Sequence, residues 1–210
     1  MKTQDESREL SHGAGVQPVE EMVGVAISMA ERHLSEIVRH RKHVETDQHG
    51  YRNHPDYVYA NVTLHSRAFL WELVAAFDLT LFWMKERFNL DLDAQKVTWT
   101  AVETKCKKIA DPKCAAAFAE VGQTHGSDWF SAVTRYRNYA HRNFIFTQGL
   151  LTESQDPQIL WPRAIEGTPY LEDLTIILTR YLDNFKAYVA RLTPLMAQSE
   201  HTEKAASETV

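Results

Sequence analysis

The chain has 210 residues, of which 44% are hydrophobic and 24% are charged, a balance typical of a globular domain. This composition excludes a wholly disordered chain, a collagen-like repeat and a small disulfide-rich protein. The net charge of −5 means that any binding of nucleic acid depends on a local basic patch rather than on the whole surface.

Polar segments flank the apolar part of the chain. We expect residues 1–18 to be a flexible N-terminal arm, residues 19–198 to form one helical domain, and residues 199–210 to be a flexible C-terminal tail. The start, MKTQDESREL, has no apolar core, and Glu72 and Asp78 interrupt the most apolar segment. We therefore expect no signal peptide, no membrane span and a cytoplasmic location.

Apolar residues recur at helical spacing in six segments. The predicted helices cover residues 19–44, 56–88, 97–110, 112–122, 128–143 and 171–195. Asp111 and Ser127 are typical N-cap residues, and Pro112 suits a first helical turn. Two short apolar runs, 144–146 and 159–161, indicate a small β-hairpin before the last helix. The sequence thus predicts an all-α bundle of four to six helices with a small hairpin.

The segment 129–152 contains no Asp or Glu, although the protein is acidic. Its helix has a core stripe of apolar residues, namely Trp129, Val133, Tyr136, Ala140 and Phe144. Beside this stripe, Arg137 and His141 are four residues apart and are therefore neighbours on the helix surface. Arg135 and His141 are six residues apart, which places them about 120° apart around the axis.

These residue types suit the metal-free cleavage of RNA. Because an imidazole titrates near neutral pH, His141 could act as general base or general acid. Arg135 and Arg137 could clamp the phosphate and neutralise its developing charge. Three further residues are candidates for substrate binding: Asn138, Tyr139, which could stack on a base, and Arg142. The alternative is that these side chains are solvated or pair with a neighbouring helix.

This late basic helix resembles the motif helix of the HEPN superfamily (higher eukaryotes and prokaryotes nucleotide-binding), whose members often carry an Arg–x4–6–His motif. Arg135 and His141 enclose five residues, Tyr-Arg-Asn-Tyr-Ala, which agrees with that spacing. The family often places a polar residue such as Asn directly after the motif Arg. Here Asn138 follows Arg137, which is separated from His141 by only three residues. Either arginine could therefore be the motif residue.

The resemblance implies a helical bundle that dimerises through its motif helices, so that two Arg/His sets share one cleft. Many HEPN domains are metal-independent ribonucleases, found as toxins and in phage defence, and toxin members are often paired with an antitoxin. In some pairs a Tyr lies two residues after the motif His and is modified, but here that position is Asn143. The implied function is a HEPN-like, metal-independent endoribonuclease that acts as a homodimer on RNA. The alternatives are a non-catalytic nucleotide- or protein-binding module and a plain helical scaffold.

We expect no metal and no cofactor. His33, His40 and His43 share the first helix, and the basic residues beside them favour a solvated helix end. A metal site that includes His40 and His43, or a second phosphate-contact patch, is the alternative. Cys106 and Cys114 are interpreted as helix-surface cysteines.

Overall fold

The computed structural model describes residues 18–46, 55–142, 150–151, 158–159 and 173–197. In this part of the chain the α-helices are α1 (Val19–Thr46), α2 (Pro55–Arg87), α3 (Trp99–Cys106), α4 (Pro112–His125), α5 (Asp128–Arg142) and α6 (Leu174–Met196). A short 3-10 helix, Ala94–Lys96, precedes α3. The predicted all-α bundle is confirmed, and only α3 is clearly shorter than the sequence pattern indicates.

Local side-chain hydrogen bonds explain where two of these helices begin. The Asp111 carboxylate accepts a hydrogen bond from the backbone N of Lys113 at 2.7 Å, and Pro112 occupies the first turn of α4. The Ser127 hydroxyl accepts a hydrogen bond from the backbone N of Phe130 at 3.3 Å before α5. Both residues therefore satisfy backbone donors that the helix itself leaves free, as predicted from the sequence.

Helix α2 lies at the centre of the bundle, where it contacts each of the other five helices. Its buried stripe includes Phe69, Leu73, Phe77 and Met84, all at most 3% exposed. The Thr80 hydroxyl donates to the carbonyl of Phe77 and accepts a hydrogen bond from the Tyr188 hydroxyl of α6 at 2.8 Å. This buried bond satisfies two polar groups inside an apolar core and ties α6 to α2.

The segment between α5 and α6 includes two strands of two residues, β1 (Leu150–Leu151) and β2 (Gln158–Ile159), which pair antiparallel. Residue Leu150 lies opposite Ile159. The predicted first strand, 144–146, lies outside the described residues, so the hairpin at that position stays a prediction. The predicted arm and tail also lie outside them, apart from Pro18.

Candidate functional site

Helix α5 is anchored by the apolar stripe that the sequence predicted. Val133, Tyr136 and Ala140 are 0%, 7% and 1% exposed, and Trp129 packs partly buried against the core. Phe130 is also buried, and its ring lies 4.4 Å from that of Phe77. Phe130 is therefore a core residue. These contacts fix which side of α5 faces the bundle and which residues are left at the surface.

Arg137 lies on the flank of α5 that faces α2. Its guanidinium carbon is 4.8 Å from the centre of the Trp71 ring, a cation–π distance. Its Nε is buried and has no hydrogen-bond partner among the described residues. Burial raises the pKa of the Asp78 carboxyl on α2, while the positive charge of Arg137 lowers it in part. Arg137 is thus positioned by α2, not left free in solvent.

Helices α2 and α5 run in opposite directions. Phe130 contacts Phe77, whereas Arg137, two turns later, contacts Trp71, which lies earlier in α2. Trp71 is 42% exposed. Trp71 is therefore not a core residue, although large aromatic side chains are usually well buried. An aromatic ring at the surface holds a guanidinium here.

Arg135 and Asn138 are exposed on the outer side of α5, and Tyr139 is half-buried. Because a helix turns about 100° per residue, Arg135 and Arg137 point about 160° apart. One copy of the chain therefore does not bring both arginines to the same phosphate. His141 and Arg142 belong to α5, but their side chains lie outside the described residues. In the sequence His141 is four residues after Arg137, the spacing from which the two were predicted to be neighbours.

A second group of polar residues lies between α1 and α2. Glu36, His40 and His65 each offer one ligand atom, and these atoms all lie within 4.8 Å of one another. His33 Nδ1 is 3.0 Å from His65 Nδ1, so one imidazole donates a hydrogen bond to the other. We call these four residues the histidine cluster. Burial and the neighbouring charges of His65 and Arg32 lower the pKa of His33.

The histidine cluster corrects the sequence interpretation of this region. His40 is 7% exposed and stacks on His65, with ring centres 5.8 Å apart, so it is not part of a solvated helix end. The side chain of His43, the other residue considered as a ligand, lies outside the described residues. The sequence signal that could have identified the cluster is the spacing of His33, Glu36 and His40, which lie along one side of a helix.

The two cysteines are buried, which corrects their interpretation as surface residues. The Sγ atoms of Cys106 and Cys114 are 3.4 Å apart. Burial and the hydrogen bond between the thiols raise the pKa of Cys106 to about 12. Since the thiolate is the reactive form, neither residue has the environment of a nucleophilic cysteine.

Among the described residues, no helix combines the length and apolarity needed to cross a membrane. A comparison with family models, curated proteins and solved structures finds no significant match to this chain. The assignment of a function therefore depends on the residues of α5 and their surroundings.

Proposed function

We propose that this chain is a HEPN-like, metal-independent endoribonuclease that acts as a homodimer. The observation that supports this most strongly is the outer surface of α5. Arg135 and Asn138 are exposed on the same helix that carries Arg137 and His141. Guanidinium, amide and imidazole groups on one helix supply phosphate binding and proton transfer, the two functions that RNA cleavage needs.

In the proposed reaction, His141 accepts the proton of a ribose 2′-hydroxyl, and the 2′-oxygen attacks the adjacent phosphorus. The bond between phosphorus and the 5′-oxygen breaks, and the 5′-oxygen takes up a proton from a general acid. The products are a 2′,3′-cyclic phosphate and a 5′-hydroxyl. Arg135 or Arg137 binds the phosphoryl oxygens as negative charge develops on them, which lowers the barrier.

The positions of the arginines support a homodimer. Since Arg135 and Arg137 point to different sides of α5, a second copy is the simplest way to bring two guanidinium groups to one phosphate. Trp71 gives this side an exposed aromatic surface next to Arg137, where α5 of a partner could pack. Asn138 would orient an imidazole or bind phosphate, and Tyr139 and Arg142 would contact the RNA beyond the scissile bond.

A non-catalytic nucleotide- or protein-binding module is the second candidate. The contact between Arg137 and Trp71 favours it, because this guanidinium already has an intramolecular partner. In such a module the basic residues of α5 bind a phosphate group but do not promote its cleavage. The HEPN resemblance implies a toxin–antitoxin or phage-defence setting and an antitoxin partner. The proposal includes these, together with the cytoplasmic location expected from the sequence.

An RNA-cleavage assay in the presence of EDTA tests the proposal. We expect the native protein to cleave a labelled single-stranded RNA and the His141→Ala variant to be at least about 100-fold slower, the lower range for loss of a general base. His125→Ala is the matched control, because His125 is an exposed histidine on α4 that stacks on Trp99. Equal rates for the native and His141→Ala proteins would contradict the catalytic role. Phosphate-dependent RNA binding without cleavage would support the binding module instead.

A further inference from the structure

The histidine cluster has the composition of a transition-metal site. Two imidazoles and one carboxylate form a donor set that is common for zinc in proteins. Glu36 and His40 are four residues apart on α1, so their side chains lie side by side on the helix surface. His65 approaches them from α2. The three donors therefore come from two helices that already pack along each other.

The distances agree with such a site after a small adjustment. Tetrahedral zinc with bonds of about 2.1 Å has donor atoms about 3.4 Å apart. The three donor atoms here lie within 4.8 Å of one another. Closing this gap requires side-chain movements on the order of 1 Å, which rotations about χ angles supply without a backbone shift.

His33 is positioned to support His65 as a metal ligand. Metal-bound imidazoles usually form a hydrogen bond through their second ring nitrogen, which fixes the ring orientation. The Nδ1 atoms of His33 and His65 are 3.0 Å apart. In the tautomer in which Nδ1 of His65 donates to His33, Nε2 of His65 has its lone pair available for an ion. The ring of His40 stacks on the ring of His65.

A metal ion would compete with a positively charged side chain beside the cluster. Arg39 Nη2 lies 2.7 Å from Glu36 Oε2, and 62% of the Arg39 side chain is exposed. A bound ion would replace Arg39 as the positive partner of Glu36, and Arg39 can move into solvent. A metal ion binds an imidazole through the lone pair of a neutral ring, which is the form in which His40 and His65 would act as ligands.

We propose that Glu36, His40 and His65 form a binding site for a zinc-class divalent transition-metal ion, with His33 as the residue that orients His65. The ion would cross-link α1 and α2, and a water molecule would complete its coordination. The site is separate from the residues proposed for RNA cleavage on α5. Its role is structural, because it stabilises the contact between the two longest helices.

The test is zinc binding to metal-free protein, followed by competition with a chromophoric chelator. We expect one zinc ion per chain, bound with a Kd below about 1 μM, and a higher melting temperature in its presence. Co²⁺ in the same site should show the intense visible absorption of four-coordinate geometry. Native protein that binds no zinc in this range would overturn the proposal.

Two variants locate the site, and a third serves as the control. Glu36→Gln keeps the shape of the side chain but weakens it as a ligand, and His65→Ala removes the ligand from α2. Each should weaken zinc binding by more than about tenfold, since even supporting residues contribute that much. His125→Ala removes an exposed histidine elsewhere and should leave the affinity unchanged. Equal affinity of Glu36→Gln and native protein would overturn the proposal, and circular dichroism would show that this variant is folded.

Discussion

The two polar regions beside α2 differ in how their side chains are arranged. In the histidine cluster the side chains contact one another and are at least half-buried between α1 and α2. On α5, by contrast, Arg135 and Asn138 are exposed and spread along the helix. A closed cluster of imidazole and carboxylate donors suits one small ion, whereas an open row of cationic and amide groups suits an extended polyanion. The same bundle therefore presents two different kinds of candidate site.

Both regions depend on α2, but on different sides of it. His65 faces α1, and Trp71, six residues later, contacts Arg137 of α5. Six residues correspond to about 120° around a helix axis. A change in one region should consequently leave the other intact, and this independence can be measured.

The largest expected effect comes from the aromatic contact that holds α5 against α2. Phe77 is 3% exposed and its ring lies 4.4 Å from Phe130. We expect Phe77→Ala to lower the free energy of unfolding by about 3–5 kcal/mol, because it leaves a cavity in the core. Urea denaturation measures this change. The control is Val25→Ala, at a position that is 54% exposed, which should change the free energy of unfolding by less than about 0.5 kcal/mol. A loss below about 1 kcal/mol for Phe77→Ala would mean that this contact does not position α5.

A smaller effect separates the two arginines of α5. Arg137→Ala removes the cation–π contact with Trp71 and should lower the free energy of unfolding by about 0.5–1 kcal/mol. Arg135→Ala removes an exposed side chain and should change stability little, while it weakens RNA binding. Arg180→Ala, at an exposed position on α6, is the matched control for RNA binding. Equal RNA affinity of Arg135→Ala and Arg180→Ala would remove Arg135 from the proposed site.

The smallest effect concerns pH and the carboxyl group next to Arg137. Burial raises the pKa of Asp78, so its charged form is disfavoured in the folded state. The folded state favours the protonated form of Asp78. The resulting contribution to stability is fully present below the unfolded pKa of about 3.9, and it is lost as the pH rises through the folded pKa. We therefore expect Asp78→Asn to be slightly more stable than native protein at pH 7 and equal to it near pH 3.5. The gain should be less than about 0.5 kcal/mol, because the carboxyl is only partly buried and solvent still reaches the residue.

Asp91 provides a control of opposite sign for this pH effect. Its hydrogen bond and ion pair with Lys105 lower the pKa of Asp91. Asp91→Asn should therefore be destabilising at pH 7, and the difference should disappear as the carboxyl is protonated in acid. Thermal denaturation at several pH values measures both variants. If Asp78→Asn and Asp91→Asn were both stabilising at pH 7, the environments described for the two carboxyl groups would be contradicted.

The helices could be predicted because their signals are local. Capping by Asp111 and Ser127 and the apolar spacing of α5 depend only on nearby residues, and the structure agrees with them. Phe130 of α5 is buried as well. Its position next to Phe77 depends on how α5 docks on α2, which the sequence pattern does not determine.

The contacts between distant helices account for what the sequence did not predict. His65 is 32 residues from His33, and nothing in the spacing shows that α2 brings it to α1. Likewise, the exposed fraction of Trp71 and its contact with Arg137 depend on the packing of two helices. Helical geometry alone predicts that Arg135 and Arg137 point to different sides of α5. The docking of Arg137 on α2 depends on the packing of the two helices.

The analysis of RNA product ends in the presence of EDTA tests the proposed function of α5 most directly. If His141 promotes attack by the ribose 2′-hydroxyl, native protein should yield a 2′,3′-cyclic phosphate and a 5′-hydroxyl, and His141→Ala should yield neither above background. Intact RNA, or products with a 5′-phosphate and a 3′-hydroxyl, would contradict this chemistry.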